Sequence, residues 1–244
     1  MQLRFLGSGD AFGSGGRFNT CMLVTTSATA FLIDCGASSL IAMRHFNVDP
    51  NTIDTILISH LHGDHFGGLP FMILDAQLVS KRTQPLTVAG PPGMQKRLVT
   101  AMECFFPGSS GIQRKFEVRV LELQPEVPSQ LNGIAVTPYV VQHYSGAPPF
   151  ALRIQCEGKV IAYSGDTEWT ENLVSAAHEA DLFIAEAYFF EKQVKYHLNF
   201  RTLQKHLNKV RPKRLILTHM SQDMLGRLED IDYETAEDGK IIEI

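Results

Sequence analysis

The chain has 244 residues, of which 44% are hydrophobic and 20% are charged, a composition that excludes a disordered protein and permits a sizeable core. A net charge of -4 argues against a surface that binds polyanions over its whole extent. The four cysteines lack Cys-x-x-Cys spacing, which indicates free thiols. The sequence has no signal-peptide pattern and no apolar run of 18 residues, so we expect a cytoplasmic protein that does not enter the membrane.

The first 34 residues predict three strands, and a glycine-rich loop joins the first strand to the second. Consecutive strands favour antiparallel pairing. The loop resembles the dinucleotide motif Gly-x-Gly-x-x-Gly, but Phe12 stands at the third glycine and a strand follows where that motif needs a helix. We expect instead that the loop backbone lies close to a ligand, with Arg17 or Asn19 pointing towards it.

Helices and strands then alternate along the rest of the chain. Apolar periodicity and Gly/Pro punctuation predict helices over 38–46, 67–80, 94–106, 173–179, 222–230 and from Asn199 onwards. The same signals predict strands over 55–58, 86–89, 116–123, 134–141, 150–155, 160–164, 182–185, 214–218 and 240–244. We find no internal repeat and no low-complexity segment.

The segment that follows the strand at 55–58 contains three histidines and one aspartate within six residues, in the pattern His60-x-His62-x-Asp64-His65. Alternate residues of an extended chain share a face, so His60 and His62 can bind one ion, while Asp64 and His65 turn towards a second. The alternative, a solvated turn rich in histidine, is a poor explanation for such a dense motif. The sequence therefore predicts a site for two metal ions.

This motif resembles the signature of the metallo-β-lactamase superfamily, and the resemblance extends over nearly the whole chain. It implies three further ligands, each after an apolar run: His143, Asp166 and His219. It also implies an α+β fold, a four-layer αββα sandwich of two βββα-type halves with the metal site at the sheet edges. Because the ligands run from His60 to His219, we expect residues 1–244 to form a single domain.

By the order of ligands in that superfamily, one ion takes His60, His62 and His143, the other takes Asp64, His65 and His219, and Asp166 bridges them. Imidazole and carboxylate ligands favour zinc, with manganese or iron as alternatives. Two such ions lower the pKa of a shared water and supply hydroxide at neutral pH, which is chemistry typical of a hydrolase. Asp64 is expected to act both as a ligand and in catalysis.

Two residues outside this set indicate the kind of hydrolysis. Glu186 follows an apolar run, and His197 precedes a predicted helix, so the carboxylate can orient the imidazole at the metal face. The pair resembles that of the phosphodiesterase branch of the superfamily, typified by ribonuclease Z, the transfer-RNA 3′-processing endonuclease. We therefore expect Glu186 and His197 to be catalytic, with His197 as the general acid.

One departure from ribonuclease Z bears on the substrate. In that enzyme a long Gly/Pro-rich arm lies between the lone histidine and the bridging aspartate, but here only 22 residues separate His143 from Asp166. A ribonuclease Z-like activity on RNA is therefore disfavoured. A small phosphodiester is favoured, as for the armless cyclic-phosphate phosphodiesterases that this branch contains.

Other functions stay open at this point. A hydrolase of a lactone, a β-lactam or a thioester is the main alternative, and a non-catalytic metal-binding protein is the least favoured one. The basic residues of 205–214 are expected to be a solvated surface, with docking of a phosphate group as the alternative. The sequence does not fix the oligomeric state, and a homodimer is one alternative.

Overall fold

Two seven-stranded sheets form the centre of the molecule, and the computed structural model describes all residues from 1 to 244. The strands, numbered in chain order, are β1 (Gln2–Gly7), β2 (Cys21–Thr25), β3 (Ala30–Ile33), β4 (Thr55–Leu57), β5 (Leu86–Gly90), β6 (Val118–Glu122), β7 (Ser129–Leu131), β8 (Ile134–Val140), β9 (Phe150–Cys156), β10 (Lys159–Tyr163), β11 (Leu182–Glu186), β12 (Leu215–Thr218), β13 (Glu234–Thr235) and β14 (Ile241–Glu243). The helices are α1 (Ser39–His45), α2 (Gly63–Phe66), α3 (Leu69–Leu78), α4 (Met94–Phe105), α5 (Asn172–Ala177), α6 (Phe200–Val210) and α7 (Gln222–Leu225).

The two sheets repeat one pattern of strand pairing. The first has the order β14-β1-β2-β3-β4-β5-β6, and the second has the order β13-β12-β11-β10-β9-β8-β7. In the first sheet β1, β2 and β3 are antiparallel, and β3 to β6 are parallel. In the second, β8, β9 and β10 are antiparallel, and β10 to β13 are parallel. The two halves of the chain therefore have matching connectivity.

The inner strands of both sheets are apolar on both faces because the middle of each sheet is covered on both sides. In β2, Met22 and Val24 belong to the core between the two sheets, whereas Cys21 and Leu23 belong to a second core under the helices of the first half. A third core lies between the second sheet and the helices of the second half. The layers are thus helix, sheet, sheet and helix, and the α+β sandwich predicted from the sequence is confirmed.

Helix α6 shows how a polar sequence is held to this core. Its N-cap is Asn199, whose side-chain oxygen accepts a hydrogen bond of 2.8 Å from the backbone N–H of Thr202. Leu203 and Val210 are buried in the outer core, and Leu207 packs against it. The predicted cap and the predicted apolar stripe are both present.

The structure also corrects several predicted elements. Asp64 and His65 lie in the short helix α2, whereas the sequence predicted a turn. The predicted helix over 222–230 is divided into α7 and a single 3-10 turn, Leu228–Asp230. Strands β7 and β13, with three and two residues, were not predicted because they are too short to show a period. No helix combines the length and the apolar character that crossing a bilayer requires.

Candidate metal centre

The chemically reactive side chains lie where strands of both sheets end. Strand β4 runs into His60, strand β10 into Asp166, strand β11 ends at Glu186, and strand β12 is followed by His219. Parallel strands carry their carboxyl ends to the same edge, so these residues of the second sheet converge. His143 joins them from the segment after β8.

The structure brings all seven candidate ligands together in two groups. Within each group the ligand atoms lie within 4.8 Å of one another. The first group is His60, His62 and His143, and the second is Asp64, His65, Asp166 and His219. Residues from both halves of the chain contribute to each group. Binding of metal by these seven residues stays a prediction.

Asp166 lies at the centre of the two groups. One of its oxygens, Oδ2, is 3.2 Å from Nε2 of His219, 3.9 Å from Nε2 of His60 and 4.0 Å from Nε2 of His143. The other, Oδ1, is 3.3 Å from Nε2 of His65. A single carboxylate therefore faces histidines of both groups, which is the position that a bridging ligand requires.

Several of the histidines are oriented by hydrogen bonds at the nitrogen that points away from the cluster. Nδ1 of His65 lies 2.7 Å from Asp34 Oδ2, and Nδ1 of His143 lies 2.8 Å from the carbonyl oxygen of Tyr196. Both partners accept, so Nδ1 of each histidine carries a proton, and Nε2 is the nitrogen that faces the cluster. Asp34 also accepts hydrogen bonds from the backbone N–H and the hydroxyl of Ser59.

Asp34 was not among the residues predicted from the sequence, although its position offers a signal. Asp34 follows the buried strand β3 directly, as His60 and Asp166 follow β4 and β10. It is fully buried, and its φ of 59° lies in the left-handed region that few non-glycine residues adopt. His219 shares this conformation, with a φ of 56°. A buried carboxylate at the end of a strand is itself an indication of a structured polar site.

Three buried polar atoms in the cluster have no hydrogen-bond partner: Nε2 of His60, Nε2 of His65 and Oδ1 of Asp166. Buried polar atoms are nearly always paired, and leaving them unpaired costs free energy. Lone pairs of nitrogen and oxygen that converge without a donor are what a divalent cation satisfies. The residues present therefore fit a divalent metal site.

The titration behaviour of the cluster follows from burial and from its own charges. Burial lowers the pKa of His60 well below its usual value, and the neighbouring His65 acts in the same direction. For His65 burial opposes the charge, but Asp166, Asp64 and Asp34 outweigh it and raise the pKa well above its usual value. Protons on histidine thus balance the carboxylates when no cation is bound, and a cation would replace them.

Glu186 and His197 form a second unit beside this cluster. Nδ1 of His197 lies 2.5 Å from Glu186 Oε1, and Glu186 Oε2 accepts from the backbone N–H groups of Thr167 at 2.8 Å and Leu198 at 3.2 Å. Burial raises the pKa of Glu186 well above its usual value, with a further contribution from Asp166. The side chain of Glu186 is 1% exposed, whereas that of His197 is 23% exposed.

His197 reaches an open cavity at the face of the cluster. The cavity has a volume of about 330 Å³. The ring of Tyr188 stacks on that of His197, with centroids 4.6 Å apart, and burial raises the pKa of Tyr188 to about 12. The residues that line the cavity are Ala11, Phe12, His62, Gly63, Asp64, His143, Asp166, Tyr188, His197 and His219.

The glycine-rich loop reaches this cavity, but not through the residues that the sequence indicated. Arg17 Nη1 donates to the carbonyl oxygen of Ala236 at 2.8 Å. Asn19 donates to the carbonyl oxygen of Asp10 and accepts from the N–H of Ser38. The expectation that Arg17 or Asn19 points at a ligand is therefore wrong, because both side chains fasten the loop to its surroundings.

The basic residues of 205–214 lie away from the cluster. Lys213 and Arg214 precede strand β12, whereas His219 follows that strand, so they are at opposite edges of the second sheet. Their charges are also paired, Lys213 with Asp181 at 2.9 Å and Arg214 with Glu234 at 2.6 Å. The position of Lys213 and Arg214 favours the solvated surface expected from the sequence over docking of a phosphate group at the cluster.

Comparison with known proteins places this geometry among hydrolases. The chain is 28% identical to a ribonuclease Z of Exiguobacterium sp. AT1b, over 98% of this chain and 94% of the relative. Human tRNase Z, short form, has a solved structure that superposes with a TM-score of 0.82 at 26% identity and covers 100% of this chain and 99% of its own. A diphosphatase of the PhnP family has the same fold, with a TM-score of 0.79 at 18% identity, over 100% and 97% of the two chains.

The fold and these similarities define the class of protein as a metal-dependent hydrolase of the metallo-β-lactamase fold, in the ribonuclease Z and phosphodiesterase branch. The resemblance to that branch, stated from the sequence, is confirmed. Residues 1–238 match the family described as anti-Pycsar protein Apyc1, and the chain belongs to this family.

Proposed function

We propose that this chain is a phosphodiesterase that uses two divalent metal ions to hydrolyse a small phosphodiester. The observation that carries the proposal is the pair Glu186 and His197, which places a hydrogen-bonded imidazole on the cavity beside the candidate metal ligands. An imidazole held in this way serves a reaction in which a poor leaving group needs a proton. Hydrolysis of an alkyl phosphodiester is such a reaction.

We assign the ions by the two groups of ligand atoms. His60, His62 and His143 would hold one ion, and Asp64, His65 and His219 the other, with Asp166 between them. Zinc suits these imidazole and carboxylate ligands, and manganese or iron are alternatives. When bound, such ions supply Lewis acidity and lower the pKa of a coordinated water.

The protein's own groups then have separate tasks. Glu186 is fixed by two backbone N–H groups, and it holds His197 through Nδ1. The other ring nitrogen of His197 is thereby the one that can give a proton to the leaving oxygen. We assign Asp64 to the catalytic set because it lines the cavity and lies 3.3 Å from His65 and 3.9 Å from His219.

The relatives and the structure favour substrates of different size. Ribonuclease Z relatives and the human tRNase Z favour an RNA endonuclease, which is the second candidate function. The alignment with the Exiguobacterium protein extends over 292 positions, whereas this chain has 244 residues, so about 50 positions have no counterpart here. Between His143 and Asp166 this chain has only the hairpin of β9 and β10 and its flanking turns. This shortness supports a small substrate.

A substrate panel tests the proposal. The protein, reconstituted with zinc or manganese, would be assayed on bis(p-nitrophenyl) phosphate, p-nitrophenyl phosphate, a lactone, a β-lactam and a thioester. We expect the phosphodiester to have the highest kcat/KM, and the variant His60→Ala/His62→Ala serves as the control for contaminating hydrolases. A higher kcat/KM on any of the other four substrates would show that the proposed function is wrong.

A further inference from the structure

Phe12 is an exposed aromatic residue at the mouth of the candidate active site. Its side chain is 84% exposed, the highest value among the large hydrophobic residues on the surface. Exposing so large an apolar side chain forgoes the free energy that its burial would supply. Phe12 also lines the cavity of about 330 Å³ that contains His143, Asp166 and His197.

The loop that carries Phe12 is held in place by hydrogen bonds. The buried carboxylate of Asp10 accepts from the backbone N–H of Phe12 at 3.2 Å, from the N–H of Ser14 at 2.9 Å and from the hydroxyl of Ser14 at 2.8 Å. Gly9 donates to the carbonyl oxygen of Phe18 at 2.8 Å. The backbone on both sides of Phe12 is therefore fixed while its ring stays in solvent. Such preorganisation lowers the entropy cost of a contact made by the ring.

Most of the other residues that line the cavity are histidines and aspartates. Tyr188, the other aromatic ring of the lining besides the histidines, already stacks on His197. Phe12 therefore presents an exposed apolar ring to the cavity. The histidines and aspartates beside it include candidate metal ligands, which suit an anionic phosphodiester. An aromatic ring binds another planar ring by offset stacking, and it discriminates little between different rings.

We infer that Phe12 is a specificity-determining residue that stacks on a planar ring, a nucleobase or an aryl group, in the ester group of the phosphodiester that is not the leaving group. This inference rests on the proposed phosphodiesterase activity and deepens it. The ring of the substrate would then lie against Phe12 at the rim of the cavity, and the phosphate would lie among the candidate metal ligands of the same cavity.

The test uses three diesters with one leaving group, p-nitrophenolate. They are ethyl p-nitrophenyl phosphate, phenyl p-nitrophenyl phosphate and thymidine 5′-(p-nitrophenyl phosphate). In Phe12→Ala we expect KM to rise roughly 5- to 100-fold for a diester with a second ring, the range expected for loss of one stacked base, with kcat changed little. KM for the ethyl diester should stay within about twofold, because that substrate has no second ring to stack.

Two further variants control the measurement. Phe12→Trp keeps an aromatic face and should retain the low KM of the ring-bearing diesters. Tyr144→Ala removes another exposed aromatic residue, 73% exposed and outside the cavity lining, and should leave all three KM values unchanged. Circular dichroism and metal content establish that each variant is folded and loaded.

The outcomes separate this inference from the proposed function. If the rise is confined to the thymidine diester, the ring is a nucleobase, and if it is confined to the phenyl diester, the ring is an aryl group. Equal changes with all three diesters, or no change in any, would overturn the role assigned to Phe12. If the wild-type protein hydrolyses none of the three, the proposed function itself fails.

Discussion

The imidazole of His197 is hydrogen-bonded to the buried carboxylate of Glu186. Its Nδ1 is 2.5 Å from Glu186 Oε1, and the two residues share a group of potential ligand atoms with Asp166 and His219. The hydrogen bond to a fully buried carboxylate fixes the ring, while the exposed part of the ring faces the cavity. This arrangement places His197 beside the candidate metal ligands, and the general-acid role proposed for it can be tested.

The variant His197→Ala should therefore have a selective effect. We expect hydrolysis of an alkyl phosphodiester to slow by about 10²- to 10⁴-fold, and that of a nitrophenyl diester far less, since nitrophenolate leaves without a proton. The measurement is kcat for the two substrates, with metal content by mass spectrometry. His178→Ala, at an exposed histidine, is the matched control. Equal losses on both substrates, or loss of metal, would instead make His197 a ligand or a structural residue.

The two groups of ligand atoms predict two transition-metal ions per chain. Metal analysis after reconstitution should approach two equivalents for the wild-type protein. In Asp166→Asn we expect both sites to lose affinity, because the carboxylate faces histidines of both groups and screens two cations that otherwise repel each other. A reproducible maximum of one ion in the wild type would contradict this assignment.

Asp34 gives a prediction that concerns orientation of a ligand. In Asp34→Asn, the amide N–H group must face either the backbone N–H of Ser59, at the position of Oδ1, or both Nδ1 of His65 and the hydroxyl of Ser59, at the position of Oδ2, so at least one hydrogen bond is lost. We expect the affinity for zinc to fall by about 10- to 100-fold, the usual effect of losing such a partner. Asparagine is chosen because it tolerates the positive φ at this position.

The measurement for Asp34→Asn is competition for zinc with a chromophoric chelator. Asp54→Asn provides the matched control, because Asp54 accepts hydrogen bonds from Thr29 at the opposite end of the β3–β4 strand pair. An unchanged zinc affinity in a correctly folded Asp34→Asn variant would show that His65 needs no such support.

Precursor transfer RNA should be at best a poor substrate. The short connection between His143 and Asp166 leaves no arm to hold the body of an RNA. We expect cleavage of precursor transfer RNA to be far slower than hydrolysis of bis(p-nitrophenyl) phosphate, with a ribonuclease Z as the positive control on both substrates. Efficient cleavage next to the discriminator base would favour the RNA endonuclease instead.

The dense histidine motif and the resemblance that it carries made the architecture and the candidate ligands predictable from the sequence. His60, Asp166 and His219 each come after an apolar run, and the ends of such runs are visible without a structure. Asp34 follows the same rule, and it was missed because a lone carboxylate after a strand belongs to no dense motif. Its role becomes visible only when β3 and β4 are seen to be neighbours.

The side-chain directions in the loop 7–19 could not be predicted from the sequence, for a different reason. The direction of Arg17 depends on a carbonyl oxygen of Ala236, which is 219 positions away along the chain. The exposure of Phe12 depends on hydrogen bonds that Asp10 makes within the loop. Such contacts produce no periodic pattern or motif spacing in the sequence. The direction of Arg17 and the exposure of Phe12 can therefore be seen only in the structure.

The matching connectivity of the two sheets has a consequence for the integrity of the protein. The first half supplies His60, His62, Asp64 and His65, and the second supplies His143, Asp166 and His219, so neither half alone has a complete set of donor atoms. A cation held by both sets would act as a cross-link between the sheets, and its binding free energy would add to the cohesion of the halves. The exposed segment between β6 and β7 is then a natural place to split the chain into two complementing fragments whose reassociation depends on metal.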